Sequence, residues 1–269
     1  MTPVRPGAAV VATAVLDVRR LPDHRSELAS QLLIGETVRV RGGSRDGLWW
    51  RIENDADHYR GWVRTWGLLG ASPRRVRRWS GLARGRIIAP LARATSRPGG
   101  GAAVLPLHWS SRVIPGGSRG PWRRVELPSG ARGWIPRSAV AVGRRGRVGL
   151  AERARGLLGT PYLWGGRTPL GIDCSGLTQL MLAEQGIAVP RDAAHQFRAA
   201  RRLARDEAPR EGDLVFFSDR GGRAAHVGLL LGGGYYVQSR GRVRLSSLHE
   251  RNPLYDKELH GTLLAVRRP

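Results

Sequence analysis

Cys174 is the only cysteine among 269 residues, and it stands in GIDCSGLTQLMLAEQG where an apolar-periodic helix begins. A cysteine attacks as its thiolate, and the thiol pKa falls at a helix N-terminus or beside an imidazole. Asp173 or Ser175 can cap the first turn, and Leu177, Leu180, Met181 and Ala183 or Glu184 follow at helical spacing. That spacing sets the thiol at the positive end of the helix. The base must arrive from elsewhere in the fold, as it does for nucleophilic cysteines generally. His226 opens the apolar stretch HVGLLLG, and a strand-start histidine facing a helix N-terminus is the geometry in which an imidazole takes a thiol proton. His195, His249 and His260 have less distinctive settings and read as surface or packing residues.

The elements that must position this pair lie on both sides of it. GLAERARGLLG reads as a helix ending at Gly159, CSGLTQLMLAEQG as a second stopped by Gly186, and residues 192–200 as a third. Strands follow at 213–217, 226–232, 235–239, 242–245 and 263–266, with Gly232, Gly233 and Gly234 supplying the permissive backbone of a hairpin. Helices followed by an antiparallel sheet define an α+β domain, placed at 143–269 because the texture of the chain changes after residue 145.

The first 140 residues read instead as short strands rich in Val, Ile and Trp, punctuated by Gly, Asp and Asn. LWWRIE at 48–53 recurs as PWRRVE at 121–126, and RGWVR at 60–64 recurs as RGWIP at 132–136. One small all-β unit is therefore used twice, over 1–72 and again within 73–142, with PRRVRR at 73–78 in the connecting linker. The apolar run from Ala8 to Leu16 reads as a first strand rather than a signal peptide, because Pro6 and Gly7 precede it and Asp17 follows.

Composition narrows the function classes. A single cysteine excludes an intramolecular disulfide framework and any structural zinc centre built on cysteines, and a reducing, cytoplasmic setting is the expectation. No stretch reaches the ~18 apolar residues that span a bilayer, so no membrane insertion is expected. The net charge of +24 is almost all arginine, Lys257 being the only lysine. It admits binding to nucleic acid or an anionic wall polymer. The arginines are scattered through every segment and no nucleic-acid module accompanies them, so a solvated basic surface is the preferred reading and no nucleic-acid partner is expected. No metal or cofactor is expected, because the His and Asp residues show no clustered ligand spacing.

PYLWGG (161–166), GIDCSGL (171–177), PRDA (190–193), GDLVFF (212–217) and HVGLLLG (226–232) occur in the order and spacing of NlpC-type cell-wall peptidases. The chain resembles that family over 147–267, and the G-W-V strands before it resemble bacterial SH3-like domains. The resemblance implies a multidomain fold of two small all-β SH3-like barrels followed by an α+β papain-like domain. It is closest to a subgroup hydrolysing the bond from γ-D-glutamate to the next diamino acid in peptidoglycan stem peptides that begin with a free L-alanine, during murein peptide recycling.

Carried over residue by residue, the resemblance makes Cys174 the nucleophile, His226 the general base and Tyr162 an oxyanion-stabilising phenol. The imidazole-orienting position falls at Gln238, where the family most often has histidine; a glutamine orients through its side-chain oxygen but supplies no charge. Ser175 is implied to meet the γ-D-glutamyl carboxylate and Asp173 to order the helix start, a plain cap being the other reading of Asp173. Asp192, Tyr59 of the first barrel and Glu27 are implied to surround the substrate's free amine, and Ala193 stands where the family commonly has serine. The expected partner is a peptidoglycan-derived peptide. The competing reading is a weak or inactive binder of wall fragments or anionic polymer, which Gln238 and the charge motivate and the retention of both Cys174 and His226 opposes.

Overall fold

Alternation is plainest at Thr37–Gly43, where Val38 and Val40 point into a core while Arg39 and Arg41 face water, the period of a half-buried strand. The computed structural model describes residues 7–143 and 148–269, which form two compact units meeting in sequence at Arg147 and Val148. The change of texture at residue 145 falls outside the described residues.

The first unit opens with strands β1 (Ala8–Val11), β2 (Val15–Arg19), β3 (Leu28–Leu33), β4 (Thr37–Gly43), β5 (Trp49–Asn54), β6 (Arg60–Arg64) and β7 (Leu68–Ala71). Helix α1 (Pro73–Leu82) follows, then β8 (Gly85–Ile87), β9 (Leu91–Arg97), β10 (Gly100–His108), β11 (Arg112–Arg119), β12 (Trp122–Glu126), β13 (Arg132–Pro136) and β14 (Val140–Val142). The first sheet runs β3-β2-β6-β5-β4-β1-β7 and the second β10-β9-β13-β12-β11-β8-β14, the same order strand for strand. Register repeats too. Arg51 faces Trp62, Ile52 faces Gly61 and Glu53 faces Arg60; in the second sheet Arg124 faces Trp134, Val125 faces Gly133 and Glu126 faces Arg132. The repeated glycine has a steric cause: a Cβ on Gly61 would run into Val18 and the Arg19 carbonyl, and one on Gly133 would come within 2.9 Å of Ala94 Cβ.

Two expectations are corrected here. The Ala8–Leu16 run is not one strand, because the chain bends at Ala12–Ala14 and changes partners, β1 pairing β4 and β7 while β2 pairs β3 and β6. The arginine-rich segment is not a loose linker but α1: Ser72 caps it by accepting from Arg75 N–H at 3.4 Å, Pro73 starts it, and Val76 and Trp79 pack on Ala8, Val10 and Ala71. Its arginines face water and mask the apolar stripe in the sequence.

Glu53, almost wholly buried, gathers Arg60 (2.8 Å), Arg41 (3.2 Å) and Arg39 (3.8 Å). Burial alone would raise its carboxyl, but the hydrogen bonds and charges of Arg41 and Arg60 outweigh that and hold it down at about 2.

In the second unit come α2 (Leu150–Leu157), the short hairpin β15 (Arg167–Thr168) and β16 (Gly171–Ile172), α3 (Cys174–Gln185), α4 (Ala193–Ala199), β17 (Arg201–Arg202), β18 (Leu214–Ser218), β19 (Ala224–Gly232), β20 (Tyr235–Arg240), β21 (Arg242–Ser247), α5 (Lys257–His260) and β22 (Leu263–Arg268). The large sheet is antiparallel throughout, ordered β17-β22-β18-β19-β20-β21. Helix α3 lies against β19 and β20 and is buried almost all round, rather than on a single apolar stripe. Its polar side chains are correspondingly paired: Glu184 takes both ends of the Arg153 guanidinium, at 2.7 and 2.8 Å, and Thr178 donates to Gln196 at 2.9 Å. No helix among the described residues is long and apolar enough to cross a membrane.

Candidate active site

Asp173 fixes where α3 begins. As its N-cap it accepts from Gly176 N–H at 2.6 Å, and its second oxygen accepts from Gly165 N–H at 2.9 Å, binding the PYLWGG loop to the helix start. Gly176 is required, because a Cβ there would lie 2.6 Å from the Gly166 carbonyl and 3.0 Å from the capping carboxylate. Cys174 consequently occupies the first helical residue, 6 % exposed, with the backbone N–H groups of Val227 and Ser175 near enough to its sulfur to favour the thiolate.

The Val227 contact brings β19 to the nucleophile, and the neighbouring residue is His226. Its Nε2 lies 2.5 Å from Gln238 Oε1 across the β19–β20 pairing, and Gln238 Nε2 donates to Ser246 Oγ on β21 at 2.8 Å. The glutamine is fully buried and its amide is held from both ends. A carbonyl oxygen facing Nε2 selects the tautomer protonated there, leaving Nδ1 as the free base. Tyr162 is held through its own N–H to the Gly241 carbonyl at 2.9 Å. Burial chiefly, and then the charges of Cys174 and Asp173, push its phenol up, so it stays a protonated donor beside the thiol.

One expectation is reversed in the free protein. Burial first, and the Asp173 carboxylate second, raise the Cys174 thiol to about 12, outweighing the two N–H contacts and the helix terminus. Burial likewise depresses His226 to about 4, although Gln238 works in the opposite direction. At neutral pH the two are a neutral thiol and a neutral imidazole. Alkylation of Cys174 by iodoacetamide should therefore accelerate continuously from pH 7 to pH 9, with no plateau below pH 6. A rate already flat at pH 5 would mean a standing thiolate–imidazolium pair.

The same burial predicts a stability change. His226 titrates near 6.5 when unfolded and about 4 when folded, so the unfolded chain binds the extra proton between those values. Its contribution is complete above pH 6.5 and is lost as pH falls towards 4, amounting to roughly 3 kcal/mol over that span. Urea titrations of wild type and His226→Gln at pH 7.5 and pH 4.5 should differ by that increment.

The residue that the sequence reading passed over is Arg191, quoted in PRDA only for the aspartate beside it. It is 1 % exposed and grips Asp173 with both Nη atoms, at 3.0 and 2.6 Å, while Nη1 also donates to Ser175 Oγ at 2.9 Å. Ser175 is thereby engaged beneath the nucleophile with Asp173 and Arg191. Asp192 is part-exposed at the start of α4 and faces His195 at 3.5 Å. In the first unit Tyr59 donates from its hydroxyl to the Ala29 carbonyl at 3.3 Å, and the exposed Glu27, two residues before Ala29, pairs with Arg20 at 3.2 Å. Among the described residues, no group of three His, Cys, Asp or Glu side chains is placed to hold a metal ion.

A cysteine at a buried helix start, set against a strand histidine that a third side chain orients, is the active-site plan of a papain-like cysteine peptidase. Residues 159–263 match the NlpC/P60 family, and residues 18–68 match the bacterial dipeptidyl-peptidase SH3 domain. The chain therefore carries a domain of the NlpC/P60 cysteine-peptidase family over 159–263 and an SH3 domain of that bacterial kind over 18–68. It is 40 % identical over 114 residues to the gamma-D-glutamyl-L-lysine dipeptidyl-peptidase of Bacillus subtilis, and 35 % identical over 123 residues to dipeptidyl-peptidase 6 of Lysinibacillus sphaericus. These matches take in 41 % and 45 % of this chain, but only 37 % and 43 % of the relatives' own lengths. The fold is also that of an NlpC/P60 family protein from Bacillus cereus, with a TM-score of 0.80 at 20 % identity, covering 97 % of this chain and 99 % of the other.

Proposed function

We propose that the protein is a cysteine endopeptidase that hydrolyses the γ-D-glutamyl to diamino-acid bond of peptidoglycan stem peptides carrying a free N-terminal L-alanine. The observation that carries this reading is the connected set at the site: Cys174 sulfur beside Val227 N–H, His226 next to it in the strand, and the imidazole held by Gln238, whose amide is itself anchored on Ser246. The name of the Bacillus subtilis relative supplies the bond. In the proposed reaction His226 Nδ1 takes the thiol proton as sulfur attacks the γ-carbonyl carbon. Charge then develops on the carbonyl oxygen, where the Cys174 N–H and the Tyr162 hydroxyl serve as donors. The C–N bond breaks, the amine leaves with the proton from the imidazolium, and water activated by the same imidazole hydrolyses the thioester.

In this reading Asp192, Tyr59 and Glu27 select the free amine, so that the first barrel serves recognition, and the second barrel is a further SH3-like module, as its repeated strand order and register support. Ser175 is the residue proposed to bind the γ-D-glutamyl carboxylate, with Arg191 donating to its Oγ at 2.9 Å and holding it in place. A free L-alanine exists only after the stem has been cut from its sugar, which favours cytoplasmic turnover of released peptides; cell fractionation tests that setting.

Mass spectrometry of L-Ala-γ-D-Glu-meso-diaminopimelate, its lysine counterpart and their N-acetylated forms is the deciding experiment. Cleavage of free-amine peptides alone, absent in Cys174→Ala, is expected. Equal cleavage of acetylated peptides would remove the amine-reading role of Asp192, Tyr59 and Glu27, and no cleavage of any would remove the peptidase reading.

A further inference from the structure

The β3–β4 turn of the first barrel is the node of the first unit. Ile34 enters the core of the second barrel, Arg112 N–H on β11 donates to the Ile34 carbonyl at 3.0 Å, and Trp79 Nε1–H on α1 donates to the Gly35 carbonyl at 2.9 Å. Gly35 has φ +82°, and any Cβ there would run into the Arg112 carbonyl. Turn, helix and strand are thus locked together. Beside them lies a cavity of about 260 Å³ walled by Thr37, Asn54, Asp55, Ser80 and Arg112. At ~30 Å³ per water it has room for roughly eight or nine waters, the space of an amino acid or dipeptide.

The walls carry more donors than the protein satisfies. Asn54 is 2 % exposed; its carboxamide oxygen accepts from Ala56 N–H at 3.2 Å, while its NH₂ group donates to no atom among the described residues. Asn54 is one of the residues that wall the cavity. The Arg112 guanidinium makes no ion pair or hydrogen bond among the described residues, nor do the Thr37 and Ser80 hydroxyls. The acids of the wall are engaged, Asp55 with Arg39 at 3.3 Å and Glu36 with Leu33 N–H at 3.0 Å. A buried amide donor left open costs stability unless an acceptor fills it, and a guanidinium fork matches a planar carboxylate.

We propose that this cavity binds a small carboxylate of amino-acid to dipeptide size, held by the Arg112 guanidinium and the Asn54 NH₂ group. The site is separate from the proposed peptidase chemistry and does not depend on it. The carboxylate could belong to a short peptide or to a sugar acid, and the test distinguishes them.

The reporter is the Trp79 indole N–H, whose acceptor Gly35 lines the cavity; its NMR resonance is assigned by its loss in Trp79→Phe. The intact Cys174→Ala protein is titrated at fixed pH and ionic strength with acetate, L-alanyl-D-glutamate and N-acetylmuramic acid, with chloride as control. A saturable shift with a carboxylate and none with chloride is expected, with affinity reduced about tenfold or more in Arg112→Gln and partly retained in Arg112→Lys, which keeps the charge but not the fork. A stronger response to the dipeptide assigns a peptide source, and to the muramic acid a sugar source. Absence of a saturable shift with all three acids, or a shift unchanged in Arg112→Gln, overturns the proposal. Because no hydrolysis is read, failure here and failure of the peptidase reading are distinguishable.

Discussion

Cys174→Ala should reduce hydrolysis of a free-amine stem peptide to background, a loss on the order of 10⁴-fold or more in kcat/KM, while leaving the thermal unfolding midpoint nearly unchanged. The sulfur is one small buried atom, so its removal takes away the nucleophile and little packing. His226→Ala should fall to a similar level, since with a thiol raised to about 12 almost no thiolate forms at neutral pH without a base to take its proton. Gln238→Ala is the more informative variant. It releases the imidazole from its 2.5 Å contact and leaves the Ser246 hydroxyl without the amide, so kcat should drop by about 10²-fold with KM little changed. Gln238→His, which restores a ring able to accept the Nε2 proton, should recover part of that loss. If Gln238→Ala retained full kcat, Gln238 would not be an orienting residue.

The sequence made the chemistry legible where a residue type is tied to a local rule. Cys174 opens α3 because Asp173 is a good N-cap, Gly176 alone tolerates the Gly166 carbonyl above it, and Gly186 ends the helix at φ 87°. His226 and Gln238 lie two strands' worth of chain apart, and antiparallel pairing of the predicted β19–β20 hairpin is enough to bring them side by side. The barrel repeat was legible through Trp62 and Trp134 because a crossing strand forces glycine before each of them.

What stayed hidden depends on pairing between distant charges or on the loss of solvent. Arg191 looks like one more arginine among many until the fold removes it from water and sets it on Asp173. Helix α1 read as a linker because four solvated arginines outnumber Val76 and Trp79, the two residues that hold it. The thiol was expected low from the helix terminus, a local cue; burial, a property of the whole unit, decides otherwise.

Arg191→Leu should destabilise the protein by about 3 to 5 kcal/mol, measured as a fall in the urea midpoint at unchanged m-value, because it leaves the Asp173 carboxylate buried without its cation. A simple packing role would give a smaller loss and no effect on the thiol. Here the chemistry moves as well. Asp173 raises the Cys174 pKa and Arg191 lowers it, so deleting the guanidinium leaves the carboxylate opposing thiolate formation unscreened. Iodoacetamide alkylation at pH 8 should slow in the folded variant, and kcat should fall more than KM rises. Arg191→Lys separates charge from geometry: an ammonium restores the cation but cannot span both Asp173 oxygens and Ser175 Oγ at once. Its alkylation rate should approach wild type while its stability recovers only in part. The opposite pattern, stability restored and thiol still slow, would mean that Arg191 acts on Cys174 through the shape of the helix start rather than through its charge.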